Sequence, residues 1–379
     1  MLDSKELSVS CMCGAAKHSF TIPTSSLPLS THLCSCDISR RISGSLLTSY
    51  VNITHSPEAP KPDLSALTPY KSSGILTRHF CSTCGTQMYL EYNHDGHFEA
   101  ATGTLQVNNT DKLVDYKAHI WVGDTPDGGA SQFVTHVNGK ELGRFLQDSG
   151  KSKVIPLSWT SSSSSESLKN KIDRIHAHCH CKGVEFFISP PNEFSKDAES
   201  SYADLLVPYH SGSSDNPKNH SWWLPGHDRF LAGTCACISC CRSSGFDLTF
   251  WAFIPTANIT QDSSSTKLFS RSPYWGTMKT YRSSADVTRT FCGRCGANVF
   301  WDGDGRGGLV DVAVGLLDAP SGARAEEILA WWPRRVSFEE FALNRGLVQG
   351  LADGLKNWAK RNEGVEYVAV GEFPVSVEA

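Results

Sequence analysis

The chain has 379 residues, more than one hydrophobic core ordinarily supports and comfortable for two domains. Hydrophobic residues at 40%, charged residues at 20% and a formal net charge of −4 describe a globular protein with no electrostatic pull toward nucleic acid. The first ten residues lack the apolar run of a secretory signal, and the longest apolar stretch, 309–317, is broken by Asp311 and too short for a bilayer, so a soluble, cytoplasmic protein without a membrane partner is expected. In that reducing compartment fourteen cysteines point to metal rather than to seven disulfides, and the sequons at Asn52, Asn108, Asn219 and Asn258 carry no weight.

The first half of the chain opens on Cys11-Met-Cys13, continues through Cys34-Ser-Cys36, and closes on Cys81-Ser-Thr-Cys84-Gly85. A Cys-free stretch follows and ends in a Ser-rich run that includes Ser161–Ser165, which predicts a linker over 151–172. The second half repeats the order: Cys179-His-Cys181, then Cys235-Ala-Cys237-Ile-Ser-Cys240, then Cys292-Gly-Arg-Cys295-Gly296. Residues 70–85 and 281–296 align without a gap, sharing Tyr, Ser-Ser, Thr-Arg, Phe-Cys and Cys-Gly, as duplication would leave them. Between Cys181 and Cys235 the second copy carries extra polar residues, around 190–229, expected as a surface insertion. Runs at 184–188, 248–254, 297–301 and 309–314 are β-branched or aromatic and predict short antiparallel strands. Over 337–361 apolar residues recur at helical spacing, but Gly346, Gly350 and Gly354 predict a helix broken into two pieces. The reading is mainly β, with domains over 1–150 and 173–335 and a short helical extension over 336–379.

Paired cysteines in C-x-C and C-x-x-C turns place two thiolates on one ion, and zinc completes its tetrahedron with a second such pair. The outer motifs of each half therefore form the candidate structural sites Cys11, Cys13, Cys81, Cys84 and Cys179, Cys181, Cys292, Cys295, with Gly85 and Gly296 suited to a left-handed turn. The middle motif of the second half, Cys235, Cys237 and Cys240, offers three thiolates and leaves one position for a substrate thiol. Cys241, His180, His210, His220 or His227 stand as alternatives that would close it. In the first half Cys34 and Cys36 are followed by Ser39, with His32 or Asp37 as the remaining candidates for a weaker site. Arg41 and Arg242, at equal offsets, could hold a substrate carboxylate or neutralise thiolates, and Arg78 and Arg289 are open to the same two readings. The Trp222-Trp223 and Trp331-Trp332 pairs read as core or interface.

The pattern C-x-C, C-x-C-x-x-C, R-x-F-C-x-x-C-G resembles the glutathione-dependent formaldehyde-activating enzyme family, which includes centromere protein V-like proteins, and does so twice. The resemblance implies a β-tent-like fold with a structural and a catalytic zinc per domain. It also implies a carbon-sulfur lyase activity that joins glutathione to formaldehyde as S-hydroxymethylglutathione, or cleaves that adduct. It carries the structural role onto the two four-cysteine sets and the catalytic role onto Cys235, Cys237 and Cys240, with Arg242 beside them. Ser39 departs from the pattern at the third catalytic cysteine, and Cys241 departs where Arg40 keeps the family's arginine. A zinc-stabilised binding or scaffold module and a redox-sensing cysteine cluster are the rival readings.

Overall fold

The computed structural model describes residues 3–54, 60–161 and 172–362. Most of the Ser-rich run at 162–171 and the end of the C-terminal extension lie outside these residues. Short strands dominate, as the β-branched and aromatic runs predict. The first repeat builds an antiparallel five-stranded sheet, in the order Tyr50–Asn52, Phe98–Ala101, Gln87–Tyr92, Leu76–Cys81, Leu67–Lys71. The second repeat builds the same five positions from Thr249–Pro255, Leu309–Ala313, Asn298–Gly303, Val287–Cys292 and Met278–Ser284. Parallel pairs, which the turn-bounded pattern did not signal, occur in both repeats: Leu29–Cys34 and Gly143–Arg144 on either side of Val114–Ile120, and Phe230–Cys235 beside Leu329–Trp331.

Each middle cysteine motif folds as the start of a seven-residue helix, α1 at Asp37–Ser43 and α2 at Ile238–Ser244. Cys36 and Cys237 are the N-caps, and their sulfurs accept from the backbone N–H of Ser39 and of Cys240. Both helices stop at a left-handed glycine, Gly44 and Gly245. This C-x-C-x-x-C turn is what gathers the sulfurs: the cap and the third helical residue point to the same side.

The two repeats face one another around a near-twofold relation, and the contacts come in reciprocal pairs, as an isologous dimer interface would give. Gly315 N–H donates to Gly44 O at 2.9 Å, and Gly103 N–H to Gly245 O at 3.1 Å. Arg41 donates to Leu316 O and to Asp318, both at 2.7 Å, while Arg242 donates to Gln106 Oε1 at 3.1 Å. The equivalent rings Phe80 and Phe291 meet edge-on at 6.5 Å, both buried, and burying two such rings contributes roughly 2 to 3 kcal/mol each. Gly85 and Gly296 have φ of +76° and +75°, as a knuckle turn requires, and a Cβ on either would stand 2.4 Å from the Phe of the opposite repeat.

Two expectations change. The residues around 190–229 are not a polar surface loop: Tyr202, Ala203, Leu205, Trp222 and Trp223 are buried, and Leu205 fills the space that Gly233 leaves. Their Ser, Asn and Pro content serves turns whose carbonyls accept the indole N–H groups, Trp223 to Ser195 O at 2.8 Å and Trp222 to Ser201 O at 3.1 Å. The C-terminal helix α3, Arg345–Arg361, is also unbroken. Gly346, Gly350 and Gly354 form one face of it and let it lie on the backbone of residues 133–138, where a Cβ at Gly354 would stand 1.7 Å from Phe133 O and at Gly350 1.9 Å from His136 O. Phe133 meets both Trp331 and Trp358 at 5.1 Å, so the chain's last helix closes onto its first repeat.

Helix propensity alone makes Gly354→Ala stabilising by up to about 1 kcal/mol. Contact with Phe133 O reverses the sign: we expect a loss of about 1 to 3 kcal/mol in urea unfolding, with Gly74→Ala, in open space, near neutral. A stabilised Gly354→Ala chain would contradict this packing.

Candidate metal centres and the cavities beside them

All fourteen cysteines are free of disulfides. The outer motifs of each repeat converge as their spacing predicts: Cys11, Cys13, Cys81 and Cys84 form one group and Cys179, Cys181, Cys292 and Cys295 another, each with its sulfurs within 4.8 Å of one another. Measured pairs are 3.5 Å for Cys11 to Cys13, 3.6 Å for Cys13 to Cys81, and 3.5 Å for both Cys179 to Cys181 and Cys181 to Cys292. A tetrahedron with metal–sulfur bonds of about 2.3 Å has edges of about 3.8 Å, so both groups have the donor set and size for a zinc-like ion. Hydrogen bonds from Cys179 and then Cys181 hold Cys292 far below the ordinary thiol range, and Cys11 and then Cys81 do the same for Cys84. The same hydrogen bonds push Cys295 and Cys81 up, so each group shares protons among its sulfurs, and a metal ion would have to displace them.

Each group also reaches across to the other repeat. Tyr70 is pushed up to about 12 by burial and then by Cys295 and Cys181 of the second repeat, and its hydroxyl bonds His180 Nδ1 at 2.7 Å. Tyr281 is raised by burial and then by Cys13 and Cys84 of the first.

Cys235, Cys237 and Cys240 form a third group, with three members. Cys240 is pulled well below the thiol range by hydrogen bonds from Cys235 and Cys237, with the Arg289 guanidinium adding to the pull. Arg289 is buried and donates to Cys240 Sγ at 3.4 Å, Ser239 Oγ at 3.1 Å and Ser243 Oγ at 3.4 Å. The alternatives for a fourth ligand are engaged elsewhere. Cys241 turns its sulfur to Ala236 O and Asp247 O, His180 bonds Tyr70, and His210 faces Glu340 at 3.3 Å. His220 and His227 are not members of the group. Arg242 lies on the same cavity wall with its guanidinium on Gln106, so the cation that touches the sulfurs is Arg289.

This group borders a cavity of about 660 Å³. Trp251, Phe253, Trp301, Phe338 and Phe341 supply aromatic walls, Arg242, Arg289 and Arg306 supply positive charge, and Met12 enters from the first repeat. Arg306 stacks on Trp301 at 4.4 Å and pairs with Asp311. Burial, against the opposing pull of Arg306, pushes Asp311 up to about 6. Asp311 was not legible as a site residue, since it reads as an interruption of a strand.

The first repeat has the matching cavity, about 670 Å³, with Cys34, Cys36 and Ser39 on its wall. Ser39 stands where Cys240 stands and Arg78 where Arg289 stands: Arg78 donates to Ser39 Oγ at 3.0 Å. Glu99 takes the place of Asp311 in the register, and burial raises it too. His32 bonds Ser149 Oγ at 3.0 Å and Asp37 pairs with Arg40, so neither joins Cys34 and Cys36. Two clusters had no motif to announce them. His176 and His178 meet Asp318, which Arg41 already engages, and His94, Asp95 and His97 share an exposed turn.

The sequence model of the family described as glutathione-dependent formaldehyde-activating enzyme matches residues 6–124 and 226–334, more than half of the chain. The chain belongs to that family. The first matched segment holds Cys11, Cys13, Cys34, Cys36, Cys81 and Cys84, and the second holds Cys235, Cys237, Cys240, Cys292 and Cys295; Cys179, Cys181 and residues 190–225, which build part of the second cavity, lie between the two segments. Among curated proteins, none matches the chain. No helix of the described residues is long and apolar enough to cross a membrane.

One ion per cysteine group is expected, so elemental analysis of the purified chain should return about three zinc ions. Cys240→Ser, which copies Ser39 into the second repeat, should lower that to about two with the circular-dichroism spectrum unchanged. An unaltered zinc content in this variant would remove the third group from the metal sites.

Proposed function

We propose that the second repeat binds a thiol of the glutathione type at Cys235, Cys237 and Cys240 and joins it to a small aldehyde, or cleaves the same carbon-sulfur adduct. The observation that carries this reading is a three-sulfur group at the wall of a cavity, where the other two groups have four sulfurs each. Cys235, Cys237 and Cys240 would hold a zinc ion there, and the ion would favour the deprotonated form of a thiol that reaches it at neutral pH.

The chain's own residues account for the remaining requirements. Arg289 balances the negative charge of the cluster from a buried position. Arg242, on the wall of the same cavity, provides a forked donor for a carboxylate of an anionic thiol, while Arg306 stays paired with Asp311. Addition forms a bond from sulfur to the carbonyl carbon and leaves a negative oxygen that must take a proton. Asp311, held near 6 by burial, gives that proton in the forward direction and takes it back in cleavage. The first repeat supports this site rather than repeating it: Met12, between two of its cysteine ligands, lines the second cavity. Ser39, in place of a third sulfur, argues against zinc-assisted chemistry in that repeat.

Two outcomes test the reading. Cys240→Ser should abolish glutathione-dependent turnover of a small aldehyde, and turnover that survives would refute the thiol site. For Asp311 the acid form is depleted as pH rises through about 6, so addition should slow toward tenfold per pH unit above that value. Asp311→Asn should flatten this limb and lower kcat by roughly a hundredfold. An unchanged pH profile in Asp311→Asn would exclude it as the acid.

A further inference from the structure

We infer that the first repeat holds a metal-free thiol site, in which the Cys36 sulfur adds covalently to a small uncharged carbonyl compound. Its cavity is as large as the second, about 670 Å³, and the fold has kept the walls while changing the donors. Two sulfurs and the Ser39 hydroxyl face it, a poor set for zinc. The candidates that would complete a metal site, His32 and Asp37, are held by Ser149 and Arg40. Cys34 and Cys36 are half-buried, as is Cys237 in the second repeat, whereas Cys235 and Cys240 are buried.

The Cys36 sulfur is set for attack. It accepts from Ser39 N–H at 3.3 Å and lies 3.2 Å from Ser39 Oγ, which in turn accepts from the buried Arg78 at 3.0 Å. As sulfur bonds to the carbonyl carbon, the π pair moves to oxygen. The proton that the thiol loses ends on that oxygen, giving a hemithioacetal with no oxidant and no leaving group. The Ser39 hydroxyl, between the sulfur and Arg78, is placed to pass the proton.

Charge sets the class of ligand. Glu99, Asp124 and Asp148 line this cavity against Arg78. In the second cavity Asp204, Asp286 and Asp311 are matched by Arg242, Arg289 and Arg306. An anion that suits the second cavity is therefore repelled by the first, and an uncharged electrophile is not.

The zinc-loaded full chain is alkylated with uncharged iodoacetamide or anionic iodoacetate, and the labelled peptides are quantified by mass spectrometry. Cys36 should react before every other cysteine. Its preference for iodoacetamide over iodoacetate should exceed that of free glutathione by about tenfold. Acetaldehyde in the reaction should slow labelling of Cys36, and Cys36→Ser should leave zinc content unchanged. Labelling of Cys36 only after a chelator, or loss of zinc in Cys36→Ser, would show that an ion is held there and overturn the proposal. A preference equal to that of glutathione would overturn the charge argument, and absence of acetaldehyde protection would overturn the carbonyl acceptor.

Discussion

Four sulfurs held about 3.5 Å apart, brought from opposite ends of a repeat, are the constraint on which the rest of the molecule depends. Thiolates at that separation repel strongly in a buried setting, and a divalent cation removes the repulsion and ties the first C-x-C turn to the last C-x-x-C turn. Because Gly85 and Gly296 follow those turns and lie against Phe291 and Phe80, the geometry of each four-sulfur group also bears on how the repeats face one another. Met12, between the ligands Cys11 and Cys13, then reaches the cavity of the other repeat. A four-sulfur group in one half thus carries a wall residue of the cavity in the other.

That dependence explains what diverged and what did not after duplication. Both repeats retain the four-sulfur group, the buried arginine after the Thr of the last strand pair, and an acid lining the cavity, the half-buried Glu99 or the buried Asp311. The differences are concentrated on the cavity walls. Ser39 replaces a sulfur in one, and in the other the residues around 202–209 and 337–341 add aromatic and charged surface.

Much of this was legible in the sequence because thiolates need fixed spacing. The two four-cysteine groups, the three-cysteine group, the missing third sulfur at Ser39 and the strands at 185–188, 249–255, 298–303 and 309–313 all follow from motif and alternation. Long-range packing was not legible. Gly346, Gly350 and Gly354 weaken a helix by propensity, and only the backbone of residues 133–138 beneath them turns that weakness into a docking face. Trp222 and Trp223 read as core or interface, but the polar composition around them hid how they are buried, with backbone carbonyls of Ser195, Ser200 and Ser201 accepting from the indoles. Arg289 outranked Arg242 for a geometric reason: it lies on a strand facing the cluster, while Arg242, on the last turn of α2, turns toward Gln106.

The central claim is that one of the three cysteine groups is coordinatively open and the other two are closed. Cadmium-113 NMR of the cadmium-substituted chain tests it most directly, because each group gives its own resonance. Two lines are predicted at the position of four-sulfur coordination and one apart from them, with glutathione moving only the third line toward the other two. Three lines that ignore glutathione, or a third line already at the four-sulfur position, would contradict the account.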